Sequence, residues 1–271
     1  MTQFLRLGFL ATVFVLSTSC SVNILENFAN KNTDNARLEA AKILINNGDY
    51  SGAISKLDEI TGTLASDRGT VALRASAYAG LCGLNFLNFV QAFSSTSLRF
   101  FPFLLSHFVG GTTTTAGYCL TAENLVESIG TSSARTNDEN MLLLVISLAK
   151  VGNYLNAYAD TNNDGSGDAG FDFCASGSLP DADTQEIGTG ITLAIEALTA
   201  LSGSVSLGSS SLSTINTACS SMVGGYDFCS VTDPSAFTAN QIKGIRTILN
   251  EDSSVGVGTN CSGNVSACAC P

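Results

Sequence analysis

The sequence predicts an all-α protein of antiparallel helical hairpins, stapled by disulfides and joined by long Gly/Ser/Thr-rich loops. Apolar residues recur at three- and four-residue spacing along much of the chain, and the sustained alternation that strands need is weak throughout. Nine Cys occur in 271 residues, Trp is absent, and charged side chains make up only 13%. That composition suits close helix packing and polar, uncharged loops.

The N-terminus reads "MTQFLRLGFLATVFVLSTSCS", with Arg6, an apolar run from Leu7 to Leu16, small polar residues and Cys20. The run is about half the ~20 residues that a spanning helix needs, so residues 1–19 read as a removable secretory signal. A Cys directly after a short apolar run resembles the bacterial lipoprotein signal, which implies that Cys20 is acylated (a palmitate-type anchor) as the first mature residue. Ser17 departs from the aliphatic residue that the family prefers three places before the Cys, and ordinary cleavage after "STS" is the alternative. Ser21 in place of Asp implies the outer membrane under the sorting rule that the resemblance brings. Elsewhere the sequence predicts no span, so the expected attachment is to a membrane surface through lipid.

Removing residues 1–19 takes away Arg6 and leaves 11 basic against 23 acidic side chains, a net charge of −12. A surface this acidic repels phosphate backbones, which argues against a nucleic-acid partner. The eight remaining Cys are Cys82, Cys119, Cys174, Cys219, Cys229, Cys261, Cys268 and Cys270. An even number in an oxidising compartment predicts up to four disulfides, with the connectivity open.

Residues 20–34, polar and Asn-rich, are expected to tether the lipid to the folded part. The region 35–159 carries the helical pattern. "NARLEAAKILINNGDYSGAISKLDEITGTLA" places apolar residues at helical spacing on both sides of Gly48-Asp49, which predicts an antiparallel pair. Ala41 and Leu44 on one helix, and Ala53 and Leu57 on the other, alternate small and bulky packing positions with Tyr50 after the turn. This pattern resembles a tetratricopeptide repeat, and Ala75 and Tyr78 recur thirty-four residues after Ala41 and Leu44. In "KVGNYLNAY", Gly152, Tyr154 and Ala157 repeat the spacing of Gly48, Tyr50 and Ala53, so a further turn is expected there. No Pro closes the first repeat, where Ala65 stands. The resemblance implies TPR-like hairpins; a generic two-helix bundle is the alternative.

Between those parts lies the Phe-rich "STSLRFFPFLLSHFVGG", too short to span a membrane, in which Pro102 is expected to bend or end a helix. It is read as buried beneath the hairpins, with an apolar lip for lipid or a partner as the other reading. In the C-terminal region 183–271, helices are expected over "DTQEIGTGITLAIEALTAL", capped by Asp183 or Thr184, over "SSLSTINTACSSMV" and over "TANQIKGIRTILN", followed by a Cys-rich tail.

Chemistry is scarce. His107 is the only His and has no acidic neighbour from Leu98 to Leu120, so no base is available to a hydrolytic triad and no catalytic residue is nominated. The junction 160–182 opens with "DTNNDGSGDAGFDFC". Asp160, Asn162 and Asp164 fall at positions 1, 3 and 5, Gly165 at 6 and Asp168 at 9, the spacing at which loop oxygens gather around a hard cation. Phe171 stands at position 12 where an EF-hand has Glu, which leaves Asp172 one residue late. The segment resembles a thrombospondin type 3 calcium repeat in a single copy, which implies a structural Ca²⁺ held by Asp160, Asn162, Asp164, Asp168 and Asp172. An ion-free Asp/Asn/Gly turn is the alternative.

The sequence thus points to a lipid-anchored, non-enzymatic protein-binding or scaffold module of the bacterial envelope with an envelope protein as partner. An assembly or pilotin-like factor and a carboxylate-dependent envelope hydrolase are the alternatives.

Overall fold

The computed structural model describes residues 30, 32–96, 98–201, 213–218, 222, 224–251, 255–258 and 269–271, and among them every regular element is a helix. The expected signal, Cys20, Cys219, Cys261 and Cys268 lie outside the described residues.

Helix α1, Asp34–Asn46, starts where the Thr33 hydroxyl accepts the Ala36 N–H, and it ends at Gly48, whose φ of +78° a Cβ would disfavour. Asp49 then caps α2, Tyr50–Asp58, by accepting the Gly52 N–H. The two helices pack as the predicted hairpin, and α4, Arg68–Leu81, closes over them after the single turn α3, Gly62–Ala65. Ala41, Ala53, Leu57, Ile60 and Ala77 form a small core of their own. The expected small positions Ala41 and Ala53 are fully buried, which lets the backbones approach; the Tyr50 ring lies where a Cβ on Gly80 of α4 would be.

Beyond α4 the predicted hairpin register stops. Helices α5, Phe86–Ser95, and α6, Phe100–His107, pair antiparallel through rings: Phe93 meets Phe100, while Phe89 meets Phe103, His107 and Phe108. Phe100, Phe101, Phe103, Leu104 and Leu105 are buried, so the body of the Phe-rich segment is core, while Leu98 and Val109 at its two ends are exposed. Pro102 neither bends nor ends α6. It sits in the first turn, where the missing N–H had no intrahelical partner to lose.

Helix α7, Thr113–Glu127, and α8, Asn137–Ala159, both begin with capping boxes, Thr112 with Thr115 and Thr136 with Glu139. Here the structure corrects the reading of "KVGNYLNAY". Gly152, Tyr154 and Ala157 make no turn, because α8 runs unbroken through them. The ring of Phe108 occupies the space beside Gly152 that a Cβ would need. A mid-helix Gly costs ~1 kcal/mol against Ala, whereas each of Leu143, Ile146, Leu148, Val151 and Leu155, all fully buried, contributes ~1.5–3 kcal/mol. Burial therefore wins. By length and composition alone α8 could also cross a bilayer, contrary to the expectation that no such segment exists, but most of it is buried inside the protein.

Helix α9, Asp181–Ala200, packs along α8. It begins at Asp181 rather than after Asp183 or Thr184, because the Pro180 carbonyl already accepts the Thr184 N–H. Residues 213–218 are helical. Helix α10, Ala239–Asn250, follows a 3₁₀ turn at Pro234–Ala236 and packs on α9. Cys82–Cys119 ties the end of α4 to α7, and Cys174–Cys270 ties the junction to the tail. Cys229 is disulfide-bonded as well.

Candidate functional site

Three polar features lie in or beside the α7–α8–α9 layer. The first is the junction loop. Asp160, at the end of α8, is fully buried, and its two carboxylate oxygens accept the N–H groups of Asp164 and Gly165. Asn162 Oδ1 accepts the Asp164 N–H, and Asp164 Oδ1 accepts the Ser166 N–H. Gly165, at φ +81°, makes the sharp turn. Asp160, Asn162 and Asp164 therefore gather on one turn. Asp168 instead turns back to the Thr161 hydroxyl and N–H, which hold its carboxyl below the usual range, and Asp172 accepts the Cys174 N–H. Among the described residues no three His, Cys, Asp or Glu side chains are grouped to hold a metal ion. Asn156 lines a cleft of about 320 Å³ beside Asp160, and its Oδ1 is buried without a donor.

The second feature is an ion cluster at the centre of the fold. Lys150 projects from the middle of α8 and is fully buried. Its ammonium contacts Glu123 of α7, and it meets Glu186 and the Thr189 hydroxyl of α9, each at 2.9 Å. The Ser147 hydroxyl donates to the second oxygen of Glu123 at 2.6 Å. Burial alone would lower the Lys150 pKa, but the facing Glu123 and Glu186 outweigh it and raise the value. The lysine stays charged and, enclosed in this way, serves as an anchor of three helices. One turn beyond Glu123, Glu127 is half-buried, and burial with the Glu123 charge pushes its pKa up to about 7. Towards the start of α9, Tyr158 donates to Asp183; burial and that carboxylate push its pKa up to about 12.

The third feature is an open cleft of about 590 Å³ where the loop before α8 meets the last turns of α9, lined by Ser132, Ser133, Arg135, Asn140, Glu196 and Thr199. Arg135 forms part of its wall with a side chain only 3% exposed. The guanidinium Nε donates to Asn140 Oδ1 at 3.1 Å and Nη1 to the Gly130 carbonyl at 2.7 Å. The nearest carboxylate, Glu196, is 3.5 Å from Nη2 and lies at the rim with a side chain 36% exposed. The pairing of this buried cation with its carboxylate is correspondingly loose. By contrast, Arg68 and Glu139 at the other side of the α8 start are closely paired at 2.5 Å, which lowers the Glu139 pKa.

His107 is enclosed by the rings of Phe89, Phe103 and Phe108, and burial lowers its pKa. It packs as an aromatic residue. None of Glu123, Arg135, Lys150 or Glu186 was nominated by spacing, since they come from different elements. The one local signal was Lys150 itself, a lone cation inside the apolar run "MLLLVISLAKVGNYL".

The class that fold and site together define is an all-helical, disulfide-linked protein with a polar cleft. No protein-family model, no curated protein and no solved structure matches this chain.

Proposed function

We propose that this chain is a lipid-anchored envelope protein that works by binding, and that the cleft beside Arg135 is where it binds. The observation that carries the reading is the buried guanidinium in the wall of an open cleft, held by neutral acceptors and only loosely by Glu196. Its volume falls within the ~300–1,000 Å³ of small-ligand sites. Anchoring through Cys20 rests on the signal-like N-terminus.

Affinity capture from mildly solubilised envelopes tests the binding reading. The wild-type chain should retain a stoichiometric protein or polymer that Glu196→Lys, a charge reversal at the rim, loses. Equal capture by both, or none by either, counts against it. For the anchor, metabolic labelling with a fatty-acid analogue should mark the protein and disappear in Cys20→Ala.

A second reading is structural calcium at the junction loop. Asp160, Asn162, Asp164 and the tight turn at Gly165 support it, with Asp168 and Asp172, now bonded to Thr161 and Cys174, as the remaining carboxylates. Millimolar calcium should raise the melting temperature of the wild type and leave Asp164→Ala unmoved.

A further inference from the structure

We propose that the ligand class of the Arg135 cleft is a small zwitterion bearing both a carboxylate and an ammonium group, such as a free amino acid or a short free peptide. The inference rests on the cleft being the binding site and adds the chemistry it selects.

A guanidinium has five N–H donors. Asn140, Gly130 and Glu196 take three of them, which leaves one hydrogen on Nη1 and one on Nη2 without an acceptor among the described residues. Those two nitrogens form the fork that a carboxylate meets with both oxygens. Lys in the same place could offer only a point charge.

Charge decides which anion enters. The mature chain carries a net −12, and Glu196 stands at the rim of the cleft. A phosphate or a dicarboxylate would meet this field with uncompensated negative charge. A zwitterion does not, because its net charge is zero. Its carboxylate displaces Glu196 from Arg135, and its ammonium pairs with the Glu196 carboxylate so released. The two protein charges are 3.5 Å apart, close enough for the two ends of one small zwitterion to meet them. The hydroxyls of Ser132, Ser133 and Thr199 and the amide of Asn140 line the remaining space, which suits peptide groups better than alkyl chains.

The test uses the full mature chain and three probes, alanylalanine, its N-acetyl derivative and its C-terminal amide, titrated by calorimetry and by amide chemical shifts. The free dipeptide should bind, and capping either end should weaken binding roughly tenfold, the loss expected for a hydrogen bond to a charged group. Glu196→Gln, a neutral change at a half-exposed rim position, should erase the preference for the free amine while keeping the preference for the free carboxylate. Arg135→Lys, checked for native circular dichroism, should lose the carboxylate preference. Equal binding of all three probes by the wild type, or no binding by any, would overturn the inference. Capture from envelopes that remains sensitive to Glu196→Lys would then show that the cleft binds another class, and the functional reading would stand without this one.

Discussion

Replacing Lys150 by Met removes a charge and keeps most of the side-chain volume. The change strands Glu123, almost fully buried, and Glu186, whose side chain is 16% exposed, on the two helices that flank α8. Breaking a buried ion pair from one side costs ~3–5 kcal/mol, a large part of the ~5–15 kcal/mol that holds a typical domain folded. At ~2–4 °C per kcal/mol for a chain of this size, the melting temperature should fall by roughly 6–20 °C. Thermal and urea unfolding followed by circular dichroism would read it. Adding Glu123→Gln and Glu186→Gln to Lys150→Met should restore most of the loss, because no buried charge remains. A loss below ~1 kcal/mol for Lys150→Met, or no recovery in the triple variant, would refute the assignment of the cluster as the anchor of the three helices.

Three further outcomes are expected. Glu127 binds its proton more tightly folded than unfolded, so its contribution is complete below 4.5 and is lost as pH rises through about 7. The ceiling is ~3 kcal/mol, reduced by solvent screening at this half-exposed site to ~1–2 kcal/mol, and Glu127→Gln should flatten the stability profile between pH 5 and 8. Gly152→Ala places a methyl group within 2.3 Å of the Phe108 ring and should cost ~1–3 kcal/mol in urea unfolding despite the better helix propensity of Ala. Loss of Cys174–Cys270, which closes a span of 96 residues, should destabilise by ~5 kcal/mol, and loss of Cys82–Cys119, spanning 37, by ~4 kcal/mol, measured with Ser pairs.

The α1–α2 hairpin was legible because its determinants are local. Thr33, Gly48 and Asp49 cap and turn a chain whose small and bulky residues already alternate at helical spacing. The same reasoning failed at Gly152, where spacing identical to that of a turn sits inside a continuous helix. What distinguishes the two places is the Phe108 ring, which arrives from α6 and cannot be seen in the local sequence. Pro102 misled for the opposite reason, since its effect depends on whether it falls in the first turn or later. The oxygen-bearing side chains of the junction loop were legible as a run, and Asp160, Asn162 and Asp164 share a turn, but Asp168 and Asp172 found backbone and hydroxyl partners of their own. The Lys150 cluster and the Arg135 cleft were not legible, because Glu123, Lys150 and Glu186 become neighbours only once α7, α8 and α9 pack. Their spacing in sequence carries no trace of it.

Helix α8 has one further consequence, which concerns the unfolded chain. Its 23 residues are apolar enough to lodge in a bilayer, and a protein that we propose is exported must carry that segment across one before α7 and α9 are there to cover it. A lysine near the centre of a candidate span disfavours insertion by ~2.5–3.5 kcal/mol, and Asn153 and Asn156 lie within two turns of it. On the proposed export, the ammonium that joins three helices in the folded protein would also disfavour arrest of the passing chain in the bilayer. The triple variant that restores the fold would lack that safeguard, and its yield in the envelope would report on transit separately from stability.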